Sequence, residues 1–312
     1  MENIAQHELS RTELSWTSGI THANGIDVAW EQAGPSHGEP LILIMGLARQ
    51  LISWPDLLCE SLVARGFRLT RFDNRDIGLS GAGDRGLRFN LIKDLLRKKV
   101  WLPVEANYTL HDMTEDTLQL MNALDIRAAH VVGVSMGGMI AQLLASKSQK
   151  RVLSLTSIMS STNHPWLPPP AWEIMRVMGE RLPRDCPRDV AVARAMMVGR
   201  LIGSPLYPKP EAVLRAESER AFDRAFRPDG GSRQTHAIAV TGSIEPLVKR
   251  IVAPTQVIHG TADRLVRPAG GQRSAKLIRH SNLAMIEGMG HDLPDALAPR
   301  LVELITSNAA RA

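Results

Sequence analysis

Short apolar runs alternate with longer amphipathic segments along much of the chain. Residues 41–45, 128–132 and 152–159 are largely apolar and of strand length, which is typical of strands buried on both faces of a sheet. Residues 51–65 and 109–124 place apolar side chains at helical spacing. Because strands alternate with helices, the pattern predicts the α/β class, with a mostly parallel sheet covered by helices on both faces.

The beginning of the pattern departs from this parallel arrangement. Residues 15–18 and 26–32 are predicted to pair antiparallel through the Asn24-Gly25 turn, because Asn-Gly favours the left-handed backbone of a two-residue hairpin. Residues 67–72 predict a further strand. Residues 90–100 predict a short basic amphipathic helix, with core packing favoured over contact with a membrane.

After residues 152–159 the alternation stops, and prolines punctuate a helical stretch. The helices predicted in this stretch are 171–181, 188–201, 211–226 and 236–241. Strand and helix then alternate again to the end of the chain. We therefore predict a helical cap, residues 163–246, inserted after the sixth strand of a core domain made of residues 1–162 and 247–312.

Residues 130–138 contain the sequence Gly-x-Ser-x-Gly between a predicted strand and a predicted helix. In that setting Ser135 occupies the tip of a tight turn, and Gly133 and Gly137 leave room for the crossing backbone. The N-terminus of the following helix favours negative charge developing near the serine. The pattern predicts Ser135 as a nucleophile; the alternative is an ordinary turn in which Ser135 caps the helix.

A nucleophilic serine needs a base, and the base needs an orienting acid. Two predicted strands in the last third of the chain, 255–260 and 283–286, are followed by Asp263 and His291 respectively. No carboxylate follows the strand at 152–159 in residues 161–164, so Asp263 is the favoured acid. These residues all follow strands, and ligands of parallel sheets bind beyond the carboxyl ends of strands.

Five segments together resemble the α/β-hydrolase superfamily, and within it the esterase branch that includes aclacinomycin methylesterase. The segments are 41–47, 71–80, 130–138, 259–263 and 288–292. The resemblance implies an eight-stranded sheet and the triad order serine, aspartate, histidine. It also implies an oxyanion hole made by the backbone N–H groups of Met136 and Leu47. Gly46 and Leu47 stand where relatives carry His-Gly-x, and Met45 replaces that histidine without removing a backbone donor.

The predicted activity is hydrolysis of a carboxylic ester of a small-to-medium apolar substrate through an acyl-enzyme on Ser135. A lactonase, a C–C bond hydrolase or a cofactor-free perhydrolase would use the same residues and stays open. A non-catalytic ligand-binding receptor is a further alternative. No cofactor or metal is needed for this chemistry, and the sequence has no zinc-ligand spacing.

Several other residues are candidates with competing interpretations. Candidates for the substrate pocket are Gly46, Trp54, His164 and Trp166. Gly46 belongs to the oxyanion loop and Trp54 lies near it, whereas His164 and Trp166 lie at the entry to the cap. Packing is the alternative for Trp54, His164 and Trp166. The charged turn 73–76 is predicted to brace the elbow, and His259 is predicted to be structural. Asp292 adjoins His291, but neighbouring residues point in different directions, so Asp292 is not predicted to be the triad acid.

Composition limits the remaining function classes. The hydrophobic fraction is 44% and the net charge is +5, which fit a globular enzyme without a nucleic-acid-binding motif. Two cysteines, Cys59 and Cys186, argue against a disulfide framework. Residues 1–15 lack the apolar run of a signal peptide, and no run approaches the ~20 apolar residues of a membrane span, so we expect a cytoplasmic protein. The sequence leaves a homo-oligomer open.

Overall fold

The computed structural model describes residues 14–83, 86 and 104–312. Within these residues the chain forms an eight-stranded sheet in the order β1-β2-β4-β3-β5-β6-β7-β8. The strands are β1 (Thr17–Ala23), β2 (Ile26–Ala33), β3 (Glu39–Ile44), β4 (Phe67–Phe72), β5 (Ala129–Val134), β6 (Val152–Ile158), β7 (Thr255–Gly260) and β8 (Ser281–Ile286). β2 runs antiparallel to both β1 and β4, and the other neighbours are parallel. The predicted mostly parallel sheet is confirmed.

Helices cover both faces of this sheet. They are α1 (Asp56–Ala64), α2 (Leu110–Ala123), α3 (Met136–Lys147), α4 (Trp172–Gly179), α5 (Arg188–Ile202), α6 (Glu211–Arg224), α7 (Pro228–Thr241), α8 (Glu245–Val248), α9 (Ala269–Leu277) and α10 (Ala298–Ala309). Adjacent residues of β3 enter different cores: Ile42 packs in the cluster that contains α2 and α3, and Leu43 packs in the cluster that contains α1 and α10. Because successive strand side chains point to opposite faces, these two clusters lie on opposite sides of the sheet.

Two predicted elements near the N-terminus have different bounds in the structure. The first strand covers Thr17–Ala23 instead of residues 15–18, and it pairs with β2 across the predicted Asn24-Gly25 turn. The helix predicted over residues 51–65 is divided into a 3-10 turn, Leu51–Ser53, and α1. Pro55 is the reason for the division, because the residue before a proline is restricted to extended backbone and Trp54 has a ψ of 127°.

Helix α7 begins at Pro228, eight residues before the predicted start at residue 236. Pro228 suits the first turn of a helix, whereas Gly230 and Gly231 have low helical propensity and conceal the helix in the sequence. The fold requires a glycine at position 230, since a Cβ there would lie 2.2 Å from the carbonyl oxygen of Asp76. Tertiary packing therefore stabilises a helix that local propensity disfavours.

Between β6 and β7 the chain forms the helices α4 to α8, as the predicted cap requires. α8 extends across the predicted boundary between residues 246 and 247, and the division into core and cap stays a prediction. The helix predicted at residues 90–100 lies outside the described residues. Among the residues that the structure describes, no helix is both long and apolar enough to cross a membrane. The cytoplasmic location and a homo-oligomer stay predictions.

Candidate active site

Ser135 lies in a sharp turn between β5 and α3. Its φ of 55° and ψ of −119° are a strained combination for a residue with a side chain. A Cβ on Gly133 would lie 2.2 Å from the carbonyl oxygen of Gly137, and a Cβ on Gly137 would lie 2.1 Å from that of Ile44. The two glycines are therefore required by backbone packing, as expected for the elbow.

Hydrogen bonds hold the Ser135 backbone in this conformation. The Ser135 N–H donates to the carbonyl oxygen of Ile158 at 2.9 Å. The Ser160 hydroxyl donates to the Ser135 carbonyl oxygen at 2.7 Å. The sequence did not indicate this role of Ser160, which lies two residues after the end of β6. The side chain of Ser135 stays partly exposed at the carboxyl end of the sheet.

The structure brings together Ser135, His291 and Asp263, which the sequence had placed after three different strands. The Ser135 Oγ lies 2.9 Å from His291 Nε2, and His291 Nδ1 lies 2.7 Å from Asp263 Oδ2. An ionised carboxylate only accepts hydrogen bonds, so Nδ1 carries the proton and Nε2 is free to accept from the serine hydroxyl. This is the geometry that general-base activation of a serine requires.

Asp263 is buried and fixed by several donors. Its Oδ1 accepts the backbone N–H groups of Leu265 and Val266, both at 2.9 Å. The second histidine, His259, places Nε2 3.3 Å from Asp263 Oδ2 and donates to the Val266 carbonyl oxygen at 2.7 Å. Burial alone would raise the pKa of Asp263, but the charge of His291 and hydrogen bonds from His259 and His291 lower that pKa to about 2.

This lowered pKa predicts a specific acid sensitivity of the fold. Because the pKa of Asp263 falls from its usual 3.8 to about 2 on folding, the ionised carboxylate stabilises the native state above pH 4. That contribution should be lost as the pH falls from 4 towards 2. Urea unfolding across this range should show a steeper loss of stability for the wild type than for Asp263→Asn. Parallel pH profiles for the two proteins would contradict the assignment.

The loop after β3 forms a turn beside the serine. Gly46 lies so close that a Cβ on it would be 3.1 Å from Ser135 Cβ. The N–H of Arg49 donates to the carbonyl oxygen of Gly46, and the N–H of Ala48 donates to Gln234 Oε1 at 2.9 Å. Within the described part of the chain, the Leu47 N–H has no hydrogen-bond acceptor. This N–H is therefore available for a ligand, and its role in an oxyanion hole stays a prediction.

Met136 provides a second unoccupied backbone donor. It is the first residue of α3, where an N–H has no partner within the helix. Among the described residues, no acceptor binds the Met136 N–H. The Ser135 carbonyl oxygen nearby accepts from the N–H groups of Gly138 and Met139 instead. Two backbone N–H groups next to the serine are thus free to bind an anionic oxygen.

The other predicted pocket residues occupy different environments. Trp54 is fully buried in the core cluster that contains α1, so it fits the packing alternative. Trp166 is 88% exposed on the protein surface. The side chain of His164 is partly exposed, and its Nε2 lies 3.9 Å from Glu245 Oε2. A role of His164 and Trp166 in substrate binding stays a prediction.

The charged turn 73–76 has a broader structural role than the predicted support of the elbow. Buried Asp73 accepts a hydrogen bond from Arg224 of α6 at 2.7 Å, and buried Asp76 accepts two from Arg233 of α7 at 2.8 Å. Asn74 donates to the carbonyl oxygen of Met45, directly before the Gly46 turn. The turn therefore joins the helices that follow β6 to the loop beside the serine.

The Asp73–Arg224 pair predicts a stability effect. Among the described residues, Arg224→Met would leave the completely buried Asp73 carboxylate with the backbone donors of Leu51 and Leu79 alone, so we expect a loss of about 3 kcal/mol in unfolding free energy. Chemical denaturation measures this value. Arg215→Met on the same helix, where the arginine is 57% exposed, should have little effect and serves as the control. Equal effects of the two substitutions would contradict the assignment.

Three other kinds of candidate group are metal ligands, cysteine thiols and the carboxylate next to His291. Among the residues searched, no group of three or more histidine, cysteine, aspartate or glutamate side chains could hold a metal ion. Cys59 and Cys186 are both buried free thiols, and burial raises the pKa of Cys59 to about 12. Asp292 directly follows His291, but its carboxylate bonds to Ser204 instead.

Comparison with known proteins identifies the family of the chain. A family model described as alpha/beta hydrolase fold matches residues 39–295. The rhodomycin D methylesterase of Streptomyces peucetius is 26% identical over 307 residues, covering 90% of this chain and 94% of the relative. An enol-lactonase from Burkholderia xenovorans superposes with a TM-score of 0.71 at 22% identity, covering 94% of this chain and all of that structure.

A meta-cleavage product hydrolase from Pseudomonas fluorescens superposes with a TM-score of 0.71 at 19% identity, covering 96% of this chain and 98% of that structure. At these identities the two solved structures establish the fold alone. The family model covers most of the chain and includes both Ser135 and His291. The chain therefore belongs to the alpha/beta hydrolase fold family.

Proposed function

We propose that this protein is a serine hydrolase that cleaves carboxylic esters of small-to-medium apolar substrates. The proposal rests on one observation, the hydrogen-bonded series Ser135–His291–Asp263. His291 Nε2 lies 2.9 Å from Ser135 Oγ, and His291 Nδ1 lies 2.7 Å from Asp263 Oδ2. The strained Ser135 backbone supports a functional role, because such strain is concentrated at active sites. The capping alternative is not supported, since the Ser135 side chain makes no helix-cap hydrogen bond.

In the proposed first half-reaction, the Ser135 Oγ attacks the ester carbonyl carbon while His291 Nε2 takes the hydroxyl proton. Asp263 orients the imidazole and stabilises its positive charge. The tetrahedral intermediate collapses as the imidazolium returns the proton to the leaving alkoxide, which departs as the alcohol. The acyl group remains on Ser135.

In the second half-reaction, water attacks the acyl-enzyme and gives its proton to His291 Nε2. Collapse releases the carboxylic acid and returns the proton to the Ser135 oxygen. In both tetrahedral intermediates the oxyanion would accept hydrogen bonds from the free N–H groups of Leu47 and Met136. The N-terminus of α3 adds favourable electrostatic potential at the same place, and one such donor is worth roughly 10²–10³ in rate.

The substrate class rests on a combination of chemistry and similarity. The relative from Streptomyces peucetius is a methylesterase, which favours a carboxylic ester over other substrates of the same machinery. The methionine content of residues 163–246 is the basis for proposing an apolar acyl or alcohol group, because the two tryptophans there, Trp166 and Trp172, are exposed. The enol-lactonase of the same fold keeps a cyclic ester as the second candidate.

The test is hydrolysis of p-nitrophenyl esters from acetate to decanoate, run beside a panel of lactones and 1,3-diketones. We expect turnover of esters with an optimum at one chain length, which measures the acyl site. Preferential turnover of lactones would move the assignment to the second candidate. Absence of turnover on the whole panel by folded protein would contradict the proposal.

A further inference from the structure

Helix α7 is packed directly against the loop that holds the free Leu47 N–H. A Cβ on Gly230 would lie 2.2 Å from the carbonyl oxygen of Asp76, and a Cβ on Gly231 would lie 3.1 Å from Ala48 Cβ. The two glycines allow the helix backbone to approach both the charged turn and the oxyanion loop. This close approach brings the next turn of α7 within reach of the same loop.

Gln234 is the α7 side chain that contacts the loop. It has no exposed surface, and its amide makes two hydrogen bonds with backbone groups far away in sequence. Oε1 accepts the N–H of Ala48 at 2.9 Å, and Nε2 donates to the carbonyl oxygen of Arg75 at 2.9 Å. The amide thus connects the loop after β3 with the turn after β4.

The contact with Ala48 occurs at a strained position. Ala48 has a φ of 56°, in the left-handed region that a residue with a Cβ disfavours. Such a conformation persists where surrounding contacts hold it. The Gln234 bond occupies the Ala48 N–H, which leaves the Leu47 N–H as an unoccupied donor of the described loop.

Arg75, whose carbonyl oxygen accepts the hydrogen bond from Gln234 Nε2, is held in place by an ion pair. The Arg75 guanidinium forms a buried ion pair with Asp116 of α2, and Arg233, the residue before Gln234, is held by Asp76. The amide is therefore anchored at both its own helix and its acceptor carbonyl. Its bond with the Ala48 N–H then holds the loop at the position where the backbone is strained.

We propose that Gln234 is a positioning residue that sets the oxyanion donor at Leu47 from the helical segment between β6 and β7. This inference rests on the proposed function, because it assigns Gln234 to the same reaction. Loss of the Ala48 bond would let the loop relax and displace the Leu47 N–H from the position of the developing oxyanion. The transition state would be destabilised more than the bound substrate.

The test compares Gln234→Ala with Thr235→Ala. Thr235 is the neighbouring residue on α7, but its side chain is exposed and donates to the carbonyl oxygen of Gly231 within the helix. For Gln234→Ala we expect kcat to fall by about 10–100-fold while KM changes by less than about threefold. Thr235→Ala should resemble the wild type in both constants, and thermal unfolding should show that both variants are folded.

A second readout uses a fluorophosphonate, because its phosphoryl oxygen occupies the oxyanion position while the phosphorus bonds to serine. Labelling of Gln234→Ala at Ser135 should be slower than wild-type labelling by a factor similar to that in kcat. Gln234→Glu keeps an oxygen that can accept the Ala48 N–H, and it should recover part of the lost rate. If Gln234→Ala does not fold, Gln234→Asn replaces it with the same expectation, since its shorter side chain cannot make both bonds.

The outcomes separate the two proposals. Wild-type rates of labelling and turnover in a folded Gln234→Ala protein would overturn the role of Gln234 and leave the esterase proposal intact. A rise in KM at unchanged kcat would also overturn it, because that result indicates substrate binding instead of oxyanion positioning. If the wild type neither hydrolyses esters nor reacts with the fluorophosphonate, the proposed function fails, and the role of Gln234 fails with it.

Discussion

Replacing Ser135 by alanine should reduce ester hydrolysis by about 10⁴-fold or more. The Ser135 Oγ is the atom that His291 Nε2 contacts at 2.9 Å, and alanine removes it without changing the strained backbone or the free N–H groups nearby. Without this oxygen no acyl-enzyme can form. Only the weak reaction of water positioned by His291 remains. Steady-state kinetics on the preferred p-nitrophenyl ester measures the loss.

A control serine is available on α3, the helix that follows Ser135. Ser146 is buried, and among the described residues its hydroxyl donates to the carbonyl oxygen of Leu143 alone. Ser146→Ala should therefore keep kcat within a few-fold of the wild type. Hydrolysis by Ser135→Ala at more than about one hundredth of the wild-type rate would contradict the assignment of Ser135 as the nucleophile.

Asp263→Asn should lower kcat by about 10³–10⁴-fold. The carboxylate accepts the proton of His291 Nδ1 and so keeps Nε2 free as the base. An asparagine amide can donate to Nδ1 instead, which moves the imidazole proton to Nε2 and blocks its acceptance of the Ser135 proton. Much of the rate should be lost while the site retains its shape.

The neighbouring carboxylate provides the control for this second substitution. Asp292 adjoins His291 in sequence, but its Oδ1 bonds to the Ser204 hydroxyl instead of the imidazole. Asp292→Asn should therefore cost less than about tenfold in kcat. If Asp292→Asn were the more damaging change, the acid of the proposed mechanism would be wrong.

The proximity of Ser135, Asp263 and His291 could be predicted from the sequence because its signals are local. The Gly133 and Gly137 spacing around Ser135 reflects backbone crowding, which a turn of this kind imposes on the residues next to it. Asp263 and His291 each follow a strand, and the carboxyl ends of parallel strands meet at one edge of the sheet. Local patterns and sheet topology together were sufficient to bring these side chains together.

The contacts of the helical segment could not be derived in the same way. Gln234 and Ala48 are 186 residues apart, and Asp73 and Arg224 are 151 residues apart. Charge or amide chemistry alone does not select one partner over many others at such separations. From its charges, the turn 73–76 was predicted to brace the elbow. In the structure its aspartates pair with arginines on α6 and α7.

Local propensity also gave the wrong start for one element that matters to the site. Gly230 and Gly231 disfavour a helix in isolation, yet α7 passes through both because only a small residue fits beside Asp76 and Ala48. The residues that join this helix to the oxyanion loop therefore lay outside the helix predicted at 236–241. Packing overrides propensity at the position from which Gln234 reaches the loop.

Covalent labelling with peptide mapping would show whether Ser135 is the nucleophile of ester hydrolysis. Wild-type protein is titrated with a fluorophosphonate, residual ester turnover is measured, and the modified peptide is identified by mass spectrometry. We expect one label per chain on Ser135, loss of turnover in proportion to labelling, and no label in Ser135→Ala. Ester turnover that persists in fully labelled protein, or a label at another residue that accounts for the inactivation, would contradict this role of Ser135.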